Sequence, residues 1–105
     1  MVKPFFAYIL LCSDGSYYTG STDELDNRIA EHQNGEGCEW TRKRLPVEFV
    51  WRQEFPTRDE AQAAEHQIKK WTRAKKEALI SGDFELLHVL SGRSQLSRAL
   101  RDASK

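Results

Sequence analysis

The sequence predicts an α+β domain in which a small, mostly antiparallel three-stranded sheet is flanked by helices. Three observations lead to this prediction. A chain of 105 residues has room for one main domain. Segments of strand length alternate with segments whose apolar residues have helical spacing. The predicted order is strand, strand, helix, strand, helix, helix, and strands joined by a tight turn pair in antiparallel fashion.

The first two strands are predicted on either side of a turn. Residues 5–12 (FFAYILLC) form an apolar run of strand length that follows Pro4. Residues 13–16 (SDGS) are a turn signal, and residues 17–19 (YYT) then pair back as a hairpin. We expect Gly20 to end the second strand.

The first helix is predicted from residues 21–24 (STDE), which have the sequence of a capping box. The helix should continue to about Gln33 and end at the Asn34-Gly35 pair. Its buried stripe is expected to contain Leu25 and Ile29.

Arg28 and His32 are four residues apart on this helix, so their side chains should lie next to each other at the border of the buried stripe. A histidine in such a place is commonly a satisfied core residue. An arginine there requires an anion or a carboxylate nearby. The pair is therefore a candidate for a functional site.

A polar loop is predicted for residues 35–46, and a half-exposed third strand follows it. The strand is predicted because apolar residues alternate with charged ones at a period of two. The apolar positions are Val47, Phe49, Trp51 and Phe55, and the charged ones are Glu48, Arg52 and Glu54.

A second capping box in residues 56–60 (PTRDE) opens the next predicted helix. Its inner stripe is expected to consist of Ala61, Ala64, Ile68 and Trp71. Glu65 lies beside this stripe and should border the core. A carboxylate in that position either pairs with a base or binds a metal.

The remainder of the chain is less regular. Residues 72–80 predict another short helix that ends at Ser81-Gly82-Asp83. Residues 84–90 are compatible with a strand or a helix, and residues 94–105 form a polar tail. We therefore expect a main domain over residues 1–83 and a C-terminal extension over residues 84–105.

Charge is balanced overall but unevenly distributed. Sixteen basic and sixteen acidic residues cancel, so the net charge neither favours nor excludes a polyanionic partner. Basic residues cluster in residues 42–44, beside Trp40, and in residues 69–76. Such patches suit contacts with phosphates and bases, and a solvated helix face is the plain structural alternative. The candidate nucleic-acid-binding residues are Trp40, Arg42, Lys43, Arg44, Lys69, Lys75 and Lys76, of which the last two should lie on an exposed helix.

The sequence also predicts where the protein acts. It has no apolar stretch of the roughly 20 residues that cross a bilayer and no pattern of a signal peptide. Cys12 and Cys38 lack metal-ligand or redox spacing, which leaves a core thiol and a loop thiol as the simplest interpretation. We expect a cytoplasmic protein without a membrane partner.

Several short motifs resemble the GIY-YIG nuclease superfamily. They are residues 7–12 (AYILLC), a Ser-Asp-Gly turn, residues 18–20 (YTG), Arg28 ten residues beyond Tyr18, His32, and Glu60-Ala61 leading to Glu65. The resemblance covers about residues 5–80 and is closest to the small stand-alone bacterial members, which are similar to the N-terminal domain of excision-repair nucleases. Departures from the motifs are Phe6-Ala7 in place of Gly-Ile, Thr19 in place of Ile, and Ser21 in place of the lysine of excision-repair members.

The resemblance implies a role for each conserved motif position. It implies that Tyr18 is the general base, that Arg28 stabilises the phosphate and that Glu65 holds one divalent cation, Mg²⁺ or Mn²⁺. Tyr8 would support the water network, and His32 would hydrogen-bond to the base or the phosphate. We expect Tyr8, Tyr18, Arg28 and Glu65 to converge on one shallow, partly exposed face of the sheet.

These implications lead to three functional hypotheses. The first is a metal-dependent endonuclease that hydrolyses phosphodiester bonds in DNA repair or processing, with branched or damaged DNA preferred to RNA as the partner. The second is a non-catalytic nucleic-acid-binding module with the same fold. The third is a protein-interaction adaptor that has kept the fold alone.

Overall fold

Strand β1 (Phe5–Leu11) is the central strand of a three-stranded sheet in the computed structural model, which describes residues 3–91. Strands β2 (Tyr17–Thr22) and β3 (Glu48–Phe55) pair with it on either side, both antiparallel. The predicted α+β class with a small antiparallel sheet and flanking helices is therefore confirmed. The chain divides into two units, one up to Lys69 and one from Lys70.

Strand β2 is longer than predicted, because it passes through Gly20 and ends at Thr22. Its register pairs Tyr8 with Gly20 and Phe6 with Thr22. The expected capping box at residues 21–24 is therefore wrong, since its first two residues belong to the strand. The Thr22 hydroxyl instead accepts a hydrogen bond from the backbone N–H of Glu24 at 3.0 Å.

Helix α1 (Leu25–Gln33) ends as predicted at the Asn34-Gly35 pair, where Gly35 has a φ of 81°. The segment predicted as a polar loop contains a short helix, α2 (Glu39–Arg42), which is a correction. Four residues are too few to give a measurable periodicity, so sequence pattern could not predict this short helix. The helix is held by Thr41, whose side chain is completely buried.

Helix α3 (Arg58–Lys69) follows strand β3 and begins at the second predicted capping box. The Thr57 hydroxyl accepts a hydrogen bond from the backbone N–H of Glu60 at 3.2 Å. Ala61, Ala64 and Ile68 form its buried stripe as predicted, whereas Trp71 lies beyond the end of the helix.

The two faces of the sheet are covered by different helices. Tyr8 and Leu10 belong to a core cluster with Leu25 of α1 and with Val47. Side chains alternate along a strand, so Ala7 and Ile9 point to the other face. Helix α3 packs against β1 and β2 on that face. Strand β2, at the edge of the sheet, therefore has α1 on one side and α3 on the other.

The second unit contains helices α4 (Arg73–Ser81) and α5 (Phe84–Ser91). The Thr72 hydroxyl caps α4 by accepting from the backbone N–H of Lys75 at 3.3 Å, and Gly82 ends α4 in a left-handed conformation. Residues 84–90, which the sequence left open, are helical. The predicted polar tail, residues 94–105, lies outside the described residues. None of the described helices has the length and apolar content of a membrane span.

Candidate active site

A chain of three buried side chains lies between the sheet and helix α1. The hydroxyl of Tyr8 is 2.9 Å from Nε2 of His32, and Nδ1 of His32 is 2.9 Å from Oγ1 of Thr41. Tyr8 is 1% exposed, and His32 and Thr41 are both 0% exposed. A buried polar side chain must be hydrogen-bonded to be tolerated, so these hydrogen bonds fix all three side chains in place.

The proton positions in this chain follow from Thr41. When its single hydroxyl proton is donated to the backbone carbonyl of Cys38 at 3.3 Å, Oγ1 accepts from His32. In that tautomer Nδ1 of His32 carries the ring proton, and Nε2 accepts the proton of the Tyr8 hydroxyl. The Tyr8 oxygen is left with lone pairs for a donor.

The guanidinium of Arg28, which can only donate, lies near this oxygen, and its Nη1 is 3.7 Å from Oε2 of Glu31. Burial opposes the charge of Arg28, but the two nearby phenols and the Glu31 carboxylate keep the arginine pKa above its ordinary value. Burial raises the pKa of Tyr8, and the charge of Arg28 opposes that rise. Arg28 is thus a partly buried positive charge beside the two tyrosines.

Tyr18 lies beside this network and is half-buried. Its ring centroid is 5.0 Å from that of His32 and 6.4 Å from that of Tyr8. Burial raises the pKa of Tyr18 well above its ordinary value, while the positive charge of Arg28 lowers it. The Tyr18 hydroxyl also reaches the thiol of Cys38. The phenol is therefore neutral in the free protein at physiological pH.

Two glycines make room for the buried network. A Cβ atom on Gly20 would lie 2.4 Å from the Tyr8 hydroxyl oxygen, and one on Gly37 would lie 2.2 Å from Nδ1 of His32. No side chain fits at such distances. These glycines are needed for close approach and not for a left-handed backbone, because neither has a positive φ.

Glu65 lies on helix α3, across the edge strand from the tyrosines. Its Oε1 accepts a hydrogen bond from the Ser21 hydroxyl at 2.5 Å, and its Oε2 is 2.6 Å from the ammonium of Lys69. Because Ser21 is paired with Ala7, its side chain points toward α3, away from the face of Tyr8. The negative charge of Glu65 nevertheless contributes to the raised pKa of Tyr8.

The expectation of one shallow, partly exposed face is therefore corrected. Tyr8, Tyr18, Arg28 and His32 are together on the α1 side of the sheet, whereas Glu65 approaches from the α3 side. The physical reason is that β2 is an edge strand, so groups from both faces can meet around it. The core of the site, at Tyr8 and His32, is buried and not shallow.

The oxygen atoms of Glu65 and Ser21 are chemically suited to a divalent cation. Mg²⁺ is commonly held by one or two carboxylates and completes its shell with water and substrate phosphate. Within residues 3–91, no group of three or more His, Cys, Asp or Glu side chains could hold a metal. A site here would thus consist of one carboxylate and one hydroxyl and would depend on the substrate for further ligands.

The predicted nucleic-acid-binding residues of the loop lie near Tyr18. Trp40 is 39% exposed, with its ring centroid 6.3 Å from that of Tyr18. The guanidinium of Arg44 stacks on Trp40 at 3.8 Å and pairs with Asp14 at 3.0 Å. Lys43 pairs with Glu39 at 3.0 Å, and Arg42 is exposed. A phosphate could displace these surface ion pairs, which contribute little to stability.

The other three predicted binding residues lie further along the chain. Lys69, at the end of α3, is paired with Glu65. Lys75 and Lys76 are on α4 in the second unit, and both are half-buried, not fully exposed as expected. Burial lowers the pKa of Lys76. The stems of long basic side chains are often covered by their neighbours, and this explains the difference.

Five residues of this arrangement were not predicted as site residues: Gly20, Ser21, Gly37, Cys38 and Thr41. Ser21 appeared only as a cap and as a departure from a family motif. Thr41 and Gly37 lie in a segment without periodicity, so no pattern indicated that one supports His32 and that the other lies against its ring. Gly20 could have been inferred, since a glycine inside a strand often marks a close approach.

The buried imidazole predicts a pH dependence of stability. Burial, together with the charge of Arg28, lowers the pKa of His32 to about 4, whereas an unfolded histidine has a pKa near 6.5. Between these two pKa values the unfolded chain binds more protons than the folded protein. The contribution of neutral His32 to the free energy of unfolding is therefore fully present above about pH 6.5 and is lost as the pH falls toward 4. We expect the free energy of unfolding to fall by up to about 3 kcal/mol over this window, as measured by urea denaturation.

His32→Gln is expected to remove this pH dependence, because glutamine does not titrate. His66→Gln is the control, since His66 is exposed on α3. Equal slopes for wild type and His32→Gln between pH 6.5 and 4 would contradict the assignment of this effect to His32.

Comparison with known proteins shows the family to which this sequence is similar. The sequence profile of the GIY-YIG catalytic domain family matches residues 4–78. A UPF0213 protein of Natronomonas pharaonis is 42% identical over 83 residues, which cover 79% of this chain and 98% of that protein. A UPF0213 protein of Halobacterium salinarum is 46% identical over 72 residues, which cover 69% and 94%.

A solved structure is also similar. The solution NMR structure of a protein from E. faecalis is 42% identical to this chain, with a TM-score of 0.54. The match covers 80% of this chain and 88% of that one. The similarity to this structure therefore extends over most of both chains.

Proposed function

The chain belongs to the GIY-YIG catalytic domain family, and we propose that it is a cytoplasmic, metal-dependent endonuclease that acts on DNA, with branched or damaged DNA as its preferred partner. The family implies a nuclease and a nucleic-acid substrate. The observation that carries the finer proposal is the partly buried guanidinium of Arg28, which lies near the hydroxyls of Tyr8 and Tyr18. Tyr8 is itself fixed by its hydrogen bond to His32.

Arg28 binds the phosphate in this proposal. A positive charge that is already oriented stabilises the charge of a phosphorane-like transition state without reorganising. Tyr8 and His32 are positioning residues, because their protons are committed to one another and Tyr8 turns lone pairs toward Arg28. Replacing either one should misdirect the guanidinium.

Tyr18 takes the proton of the attacking water. The water oxygen forms a bond to phosphorus, the bond from phosphorus to the leaving oxygen breaks, and the water proton passes to the phenolate oxygen of Tyr18. The raised pKa of Tyr18 makes the phenolate scarce at neutral pH, so positive charge from Arg28 is needed to favour it. We therefore expect the cleavage rate to rise with pH through the neutral range.

Glu65 and Ser21 would hold the divalent cation in this proposal. Such a cation supplies positive charge that stabilises the leaving oxygen. The chain itself contributes the partly buried carboxylate, and the Ser21 hydroxyl fixes its orientation. The cation also offsets the negative charge that Glu65 adds near Tyr8.

The test is cleavage of supercoiled plasmid and of branched duplexes with Mg²⁺ or Mn²⁺, compared with EDTA. Glu65→Gln keeps the shape of the side chain but loses its charge, and we expect cleavage to fall by about tenfold to hundredfold. Glu39→Gln removes an exposed carboxylate that also pairs with a lysine four residues on, and it should cleave like wild type. Wild-type protein that binds DNA but cuts no substrate with either metal would favour the binding module instead.

Binding of DNA should weaken steeply with salt, since each phosphate neutralised by a basic residue releases condensed counterions. With three or four such contacts, the log–log slope against salt should be about −3. Arg42→Gln is expected to weaken binding and flatten the slope by about 1. Arg52→Gln, on the opposite edge strand β3, is the control. Affinity that does not change with salt would argue against the basic loop as the interface.

A further inference from the structure

Both carboxylate oxygens of Glu65 are already engaged by the chain itself. The Ser21 hydroxyl donates to Oε1, and the Lys69 ammonium is paired with Oε2 at 2.6 Å. The side chain of Glu65 is only 15% exposed, whereas that of Lys69 is 48% exposed. A carboxylate that has lost most of its water requires a hydrogen-bonded positive partner.

A second, exposed ion pair in the same molecule shows how burial affects the interaction between Glu65 and Lys69. Glu39 and Lys43 have the same spacing of four residues and a distance of 3.0 Å, but their side chains are 69% and 64% exposed. An exposed pair of this kind is worth little, because water solvates each partner well. Glu65 lacks that solvation, so its interaction with Lys69 should be the stronger of the two.

We propose that Lys69 is a built-in counter-cation of Glu65, which neutralises the carboxylate in the metal-free protein and leaves Oε2 when a divalent cation binds. This inference rests on the proposed function, because it concerns the same carboxylate. A cation near Oε2 meets an ammonium of the same charge. The cation must therefore displace Lys69, and its apparent affinity is reduced by the strength of that ion pair.

The arrangement of the other groups supports an exchange of cations at this carboxylate. Ser21 is neutral and can keep its hydrogen bond to Oε1 while the partner at Oε2 changes. Lys69 is the last residue of α3, and its side chain is half-exposed, so it can move into solvent without disturbing the buried stripe of the helix. Lys69 thus holds the Glu65 carboxylate in place before the metal arrives.

The experiment is titration of each purified variant with Mn²⁺, with free Mn²⁺ counted by electron paramagnetic resonance. We expect Lys69→Met to bind Mn²⁺ about three- to tenfold more tightly than wild type, since the competing cation is gone. Lys69→Arg keeps a cation and should stay near wild type. Lys43→Met makes the same change in net charge at the exposed pair and should also stay near wild type.

The outcomes separate this inference from the proposed function. If Glu65→Gln abolishes Mn²⁺ binding but Lys69→Met binds no more tightly than wild type, the counter-cation role is overturned while the metal site stands. If neither wild type nor Lys69→Met shows binding that depends on Glu65, both proposals are overturned. Thermal unfolding checks the fold of each variant, and Lys69→Gln is measured in place of Lys69→Met if the latter does not fold.

Discussion

Tyr18→Phe is expected to leave the protein folded and able to bind DNA while reducing metal-dependent cleavage by a hundredfold or more. The substitution removes one hydroxyl and keeps the ring that packs near His32 and Trp40. Loss of a general base typically lowers the rate by this amount. Loss of a hydrogen bond should lower the free energy of unfolding by about 1 kcal/mol or less.

The comparison with Tyr17→Phe makes the measurement specific. Tyr17 is the neighbouring residue of β2, and its side chain points to the other face of the sheet. Cleavage, binding and unfolding should be measured for both variants under the same conditions. A folded Tyr18→Phe variant with wild-type cleavage would leave the phenol without a chemical role.

Gly20→Ala is expected to destabilise the protein strongly. The new Cβ would lie 2.4 Å from the Tyr8 oxygen and 2.5 Å from the ring carbon that carries it. Tyr8 is buried and hydrogen-bonded to His32, so it cannot turn away freely. We expect a loss of about 2–4 kcal/mol from overpacking and a broken hydrogen bond, together with a loss of cleavage.

Gly15→Ala is the matched control, because nothing lies within 4 Å of its added Cβ and only its φ of +85° is unfavourable. Its effect on the free energy of unfolding should be about 1 kcal/mol. In a double-mutant cycle, Tyr8→Leu should remove part of the effect of Gly20→Ala, since the two side chains no longer collide. Additive effects in urea denaturation would show that the collision is not the cause.

Sequence patterns predicted most secondary-structure elements because each has a local physical cause. The alternation of Phe49, Trp51 and Phe55 with charged residues fits one half-buried strand. The Thr57 hydroxyl caps helix α3 at the second predicted capping box. The apolar segment of residues 84–90 has no local sequence signal that distinguishes a strand from a helix. Its spacing fitted a strand and a helix equally well, and the structure shows helix α5.

The candidate site residues were identified from the spacing of motifs along the sequence: Tyr8, Tyr18, Arg28, His32 and Glu65. This spacing does not give the distances between their side chains in the fold. Which proton is donated to which atom depends on Thr41, a residue of a short helix that no pattern announced. Whether Gly20 can be replaced by a residue with a side chain depends on Tyr8, which lies twelve residues earlier in the sequence. Such contacts arise only when strands pair.

The sequence by itself determined the order of the three strands and of the helices α1, α3 and α4, together with the family, since these follow from residue types and their local spacing. Only the tertiary structure decided that a buried Tyr8–His32–Thr41 network lies beside Arg28. It also decided that Glu65 lies on the other side of an edge strand and that Lys69 already pairs with its carboxylate. The physical reason is that burial, register and side-chain direction are set by packing between distant segments, and packing is not encoded in any single stretch of the chain.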